Sequence, residues 1–109
     1  MSDIWGEANK TVLTSRLRAY EQKYFASVAP VVGLELARIM GPAGLLPTRI
    51  IQINPVVASF SKLCGVLLLH ELIHHKLMLE DGDPDEEEGA RFQAEVARLW
   101  EVGAYRNLL

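Results

Sequence analysis

Residues 70–74 read His70-Glu71-Leu72-Ile73-His74, and they sit in the most apolar stretch of the chain, VLLLHELIHHKLM (66–78). On a helix, residues four apart lie one above the other on the same face. His70 and His74 can therefore reach one metal ion, and Glu71 lies beside that face. The chemistry this suits is metal-assisted hydrolysis. A catalytic Zn²⁺ takes three protein ligands and leaves one position for water. The metal brings the water's pKa toward neutrality, and a nearby carboxylate takes its proton as it attacks a carbonyl.

The surroundings sharpen this reading. Leu67, Leu68, Leu69, Leu72, Ile73, Leu77 and Met78 cover nearly the whole circumference of the predicted helix. Such a helix is expected to be buried on most sides. Polar groups left unpaired in a core cost kilocalories, and a metal would satisfy His70, Glu71 and His74 together. His75 projects about 100° from His74 and is expected at the rim of the site or bracing a ligand. Cys64 reads as a small buried hydrophobe, and Met78 as packing.

A third ligand is expected from the last helix. Phe92, Val96 and Leu99 form its apolar stripe, and Glu88, four residues before Phe92, falls on that stripe. Glu87 aligns with the wet side, and Glu86 belongs to a helix cap. The ligand set is thus His70, His74 and Glu88. Glu95 borders the inner face; it is the runner-up ligand, a brace for a histidine, or half of an ion pair with Arg91 or Arg98.

These residues need a scaffold. Asp3 to Ala26 has helical spacing, with Leu13, Leu17, Tyr20 and Tyr24 inward and Arg16, Arg18, Glu21 and Lys23 on the wet face. Residues 32–39 suit a strand, and 41–47 read as a turn-rich connection. TRIIQIN (48–54) is the clearest strand, ended by Asn54-Pro55. Val56 to Leu79 reads as helix, with a break near Gly65. After the acidic turn, Asp83, Pro84 and Glu86 signal the start of a helix that runs to about Gly103. The expected fold class is α+β: an N-terminal helix, a small mostly antiparallel sheet, the motif helix and a C-terminal helix.

At 109 residues the chain, 1–109, is one domain. Half the residues are hydrophobic and the net charge is -3, so stand-alone nucleic-acid binding is not expected. A single cysteine allows no internal disulfide, no segment reads as a secretion signal, and no apolar run could span a bilayer. These features point to the cytoplasm and away from a membrane.

From about Gly44 to Trp100 the chain resembles SprT-like zinc metallopeptidase domains. AGLLPTRIIQINP resembles their AG turn and a strand ending in Asn-Pro, and LLLHELIHHKLM their active-site helix. EGARF (88–92) resembles their His-Gly-x-x-Phe, in which the histidine is the third ligand. Glu88 stands at that position, as in the His-His-Glu sites of gluzincins. The HExxH helix followed by Glu-x-x-x-Phe is also similar to ImmA/IrrE-type peptidases. The resemblance implies a compact zincin-like domain, bound Zn²⁺, Glu71 as general base, and a peptide or protein substrate. No four-cysteine ribbon or basic tail follows, so the crosslink-repair role of SprT-like proteases is not implied. An extended substrate is expected to pair with a sheet edge, with the 48–54 strand as the candidate. Arg49, Tyr105 and His75 are candidates for stabilising an oxyanion. A different class remains: a non-catalytic interaction module stapled by zinc, or a pseudo-protease. A closed fourth metal position would mark the stapled module.

Overall fold

A computed structural model describes residues 4–82 and 89–109, with side chains described for 8–80, 82 and 89–109. In order, the elements are α1 (Ile4–Tyr24), β1 (Gly33–Leu36), β2 (Ala43–Leu45), β3 (Ile50–Ile53), a 3-10 turn (Pro55–Val57), α2 (Ser61–Asp81) and α3 (Ala90–Glu101). The α+β class and the order helix, sheet, motif helix, C-terminal helix are as expected.

The sheet has the spatial order β1-β3-β2. β1 runs parallel to β3, with Leu34 opposite Ile51 and Leu36 opposite Ile53. β2 runs antiparallel to β3, with Leu45 opposite Ile51. The sheet is therefore mixed rather than mostly antiparallel as expected, because the chain leaves β1, crosses to the far side of β3's position and returns by a hairpin. One face carries Leu34, Ile51 and Ile53, all buried. The other carries the Glu35–Gln52 pair, bonded at 2.7 Å.

This order corrects two expectations. β2 falls in the segment read as a turn-rich connection; three residues with two small side chains give no strand signal, and pairing with β3 decides the matter. More importantly, β3 is the central strand. Neighbours occupy both its edges, so it cannot accept a substrate strand, and the 48–54 edge hypothesis falls.

Local chemistry fixes the hairpin and the exit from the sheet. Arg49 N–H donates to the Leu46 carbonyl at 2.8 Å, closing a turn with Pro47 at its second position. Arg49 then adopts φ +66°, the left-handed residue this hairpin type requires. Asn54 Nδ2 donates to the carbonyls of Ile39 and Gly41 at 3.1 and 3.3 Å, and its Oδ1 accepts from Val56 N–H at 3.1 Å. That one side chain ties the β1–β2 connection to the end of β3 and caps the 3-10 turn.

α2 packs against β2, β3, α1 and α3, which is why its sequence is apolar all round. It begins at Ser61 rather than Val56, and it runs unbroken through Gly65. A Cβ on Gly65 would lie 2.5 Å from Arg16 Nη2 and 2.6 Å from Leu108 Cδ2. The glycine therefore marks a close approach, not a break. Arg16 uses that space to donate to the Ser61 carbonyl at 2.7 Å and to the Tyr20 hydroxyl at 2.9 Å. At the other end, Gly82 takes φ +71° and its N–H donates to the Met78 carbonyl, a left-handed C-terminal stop.

α1 buries Leu13 and Leu17 and lays Tyr20 and Tyr24 against the core. Glu21, expected on its wet face, is instead buried. Its Oε2 accepts from Val31 N–H at 2.7 Å, and its Oε1 accepts from Arg18 Nη1 at 2.7 Å. Arg18 also donates to the Val31 carbonyl at 2.9 Å. Val31 lies just before β1, where its N–H has no strand partner, and a buried N–H must find an acceptor. Among the described residues, no helix is long and apolar enough to cross a membrane.

Candidate metal centre

The helical spacing of α2 does what the sequence predicts. His70 and His74 turn the same ring nitrogen toward one point, and their Nε2 atoms are 3.1 Å apart. The rings meet edge to face, with centroids 4.7 Å apart. Without a metal, whichever ring carries Nε2–H donates to the other. The same separation suits a shared ion: two nitrogens at about 2.0–2.1 Å from a tetrahedral zinc lie about 3.3 Å apart. Glu71 is 5 % exposed, and its Oε2 stands 4.0 Å from His70 Nε2. A carboxylate is thus held beside the His70 nitrogen with little access to bulk water.

Phe92 on α3 is the wall that orients the pair. Its ring centroid lies 5.0 Å from that of His70 and 4.9 Å from that of His74. Both imidazoles therefore have one packed side, which limits their rotamers. The sequence places Phe92 on the apolar stripe but does not reveal this contact.

Glu88 lies outside the described residues. The predicted helix start at Asp83–Pro84 lies there too. As described, α3 starts at Ala90 behind Gly89, whose backbone is extended (φ −70°, ψ 174°). Helical phase therefore does not carry back through Gly89, and that part of the case for Glu88 loses its basis. The alignment of EGARF with the family's ligand segment does not depend on phase. Among the described residues, no third histidine, cysteine or carboxylate joins His70 and His74 in a metal-sized group.

Glu95 is committed elsewhere. Its Oε2 accepts from Lys76 Nζ at 2.8 Å and its Oε1 pairs with Arg98 Nη2 at 3.0 Å. Burial pushes this carboxyl up, but the hydrogen bonds from Lys76 and Arg98 outweigh it and hold the pKa below its ordinary value. The ion-pair reading holds, with Lys76 of α2 as an additional partner. Cys64 is buried and its Sγ–H donates to the Val57 carbonyl at 3.1 Å. Burial pushes its thiol up, against a smaller opposing effect of Arg16, so it stays a protonated core residue.

The three oxyanion candidates separate cleanly. His75 is 1 % exposed; its Nε2–H donates to the Ala29 carbonyl at 2.7 Å. It serves the α1–β1 connection, neither at the rim nor bracing a ligand, because one residue of helix turns it to the far side of α2. Arg49 is exposed at the hairpin tip. Tyr105 shares a cavity with His70, and burial pushes its hydroxyl pKa up, keeping it protonated.

Tyr105 arrives there through a helix stop. Gly103 N–H donates to the Trp100 carbonyl and Ala104 N–H to the Leu99 carbonyl, with Gly103 at φ +82°. This Schellman pattern folds residues 104–109 back over the end of α3. Its signal in the sequence is the glycine after the last periodic residue.

No protein-family model, curated protein or solved structure matches the chain.

Proposed function

We propose that this protein is a zinc-dependent peptidase of the HExxH type, built on a SprT-like domain with a gluzincin-like third ligand. His70, His74 and Glu88 hold Zn²⁺, and Glu71 is the general base. The observation that carries this reading is the convergence of the two Nε2 atoms at 3.1 Å beside a buried carboxylate. Zn²⁺ in such a site supplies Lewis acidity and a water of near-neutral pKa.

The chain's own residues do the rest. Glu71, fixed on the same rigid helix, takes the proton of the attacking water and delivers it to the leaving amine. Phe92 holds the imidazoles in line and excludes solvent from one side. Tyr105, protonated, is the described side chain best suited to donate to a developing oxyanion. With β3 closed on both edges, β1 and β2 are the edge strands, and β2, the one that packs on α2, is assigned to receive an extended peptide. The same considerations as before favour the cytoplasm as its location.

The test is cleavage of a mixed peptide library by zinc-loaded protein, read by mass spectrometry. Wild type is expected to cleave. Glu71→Gln is expected to keep its zinc and lose at least about 10²-fold in rate, the low end of what a general base contributes. Equal cleavage by both proteins would refute the assignment of Glu71. No cleavage by a wild type that holds zinc would favour the stapled interaction module.

A further inference from the structure

α2 and α3 do not close completely over one another. Between them lies a cavity of about 250 Å³ lined by Val66, His70, Phe92, Val96, Trp100 and Tyr105. It borders the candidate metal centre through His70. An apolar cavity of about 150 Å³ takes up a benzene-sized molecule, so this one admits a leucine or phenylalanine side chain. A second compartment, also about 250 Å³, adjoins it and contains Arg106. Trp100, Tyr105 and Leu109 line both. The Trp100 and Tyr105 rings lie 5.8 Å apart, forming a common wall. Arg106 supplies the only Lys, Arg, Asp or Glu side chain in the two linings, and among the described residues its guanidinium has no ion-pair partner. The groove is thus apolar where it meets His70 and cationic one compartment away.

We propose that this groove selects the substrate: a peptide whose large apolar side chain, next to the bond cleaved, fills the compartment against His70 while a carboxylate meets Arg106. The carboxylate is either the peptide's C-terminus or an acidic side chain beside the apolar residue. The inference rests on the peptidase reading for its place in the reaction. Its binding component stands apart from turnover and can be measured without it.

Binding is read in the Glu71→Gln protein, with Trp5→Phe added so that Trp100 fluorescence reports on the groove. The probes are acetylated tetrapeptides carrying Leu or Gly at one position. Each is made with a free C-terminus, with a C-terminal amide, or with an amide and a neighbouring Asp. Leu peptides bearing a carboxylate are expected to bind at least about tenfold more tightly than their Gly counterparts, from burial of one leucine side chain. Arg106→Gln is expected to weaken the carboxylate peptides about tenfold, as for one charged hydrogen bond, and to leave the plain amides unchanged. The free C-terminus and the Asp arm show which source is used. Val96→Phe, which fills the apolar compartment, is expected to erase the preference for Leu. Thermal melts of each variant confirm folding; Arg106 is exposed, so its replacement leaves the core intact.

Equal binding of Leu and Gly peptides overturns the proposal. So does an Arg106→Gln effect of the same size on amides and carboxylates, or no binding at all. Wild-type turnover of the same peptides separates the two ideas. Selective binding without cleavage removes the peptidase and keeps the groove. Cleavage without selectivity removes the groove and keeps the peptidase.

Discussion

Phe92 touches both imidazoles, and Glu71 lies within reach of one of them, so the site's chemistry is set by a few side chains on two helices. The part of it carried by α2 is legible in the sequence because i and i+4 neighbours are a local property of a helix. Roles that depend on distant partners are not. Glu21 looks like a surface residue until Val31 N–H, ten residues on, is found needing an acceptor. Glu95 sits at a helical spacing that suits a ligand brace, yet Lys76, nineteen residues earlier, claims it. That claim has a pH signature. The Glu95 pKa is depressed in the folded chain, against about 4.3 for an unfolded glutamate. Its stabilisation is therefore complete well above that unfolded value and is lost as pH falls through the lower folded value. Urea unfolding at pH 7 and pH 3 should show Glu95→Gln shrinking the stability difference between the two pH values. An unchanged difference would mean that the Lys76–Glu95–Arg98 cluster contributes nothing to folding.

Among elements, the readable ones carry their own periodicity or punctuation. α1, β3 and the C-terminal end of α3 are of this kind, with Asn54-Pro55 and Gly103 marking stops. β2 is invisible because two of its three residues are small and its strand character comes from β3. The order β1-β3-β2 is not readable either, since TRIIQIN suits an edge or a centre equally well. Gly65 misleads for a related reason: a helix-interior glycine suggests a break, but here it makes room for Arg16 and Leu108. Replacing it tests that account. Gly65→Ala gains about 1 kcal/mol of helix propensity and loses part of the Arg16 contact, so its net effect should be small. Gly65→Leu has no such compensation and should destabilise by about 2 kcal/mol in chemical denaturation, as overpacked cores do. A Leu variant as stable as wild type would show that the α1–α2 contact yields freely.

At the scale of the whole molecule, α2 is the axle. It touches two strands and both other helices, so its position is fixed from several sides and its histidines with it. The groove between α2 and α3 then places a side-chain-sized cavity beside His70, with Arg106 one compartment away. The central claim is that this arrangement holds an open zinc site. X-ray absorption at the zinc edge of the loaded protein tests it most directly. One zinc per chain is predicted, with scattering from two imidazoles at about 2.0–2.1 Å and oxygen in the remaining positions; His74→Ala should remove one imidazole or abolish binding. A chain that takes up no zinc, or a zinc shell containing sulfur or lacking the paired imidazoles, would contradict the account.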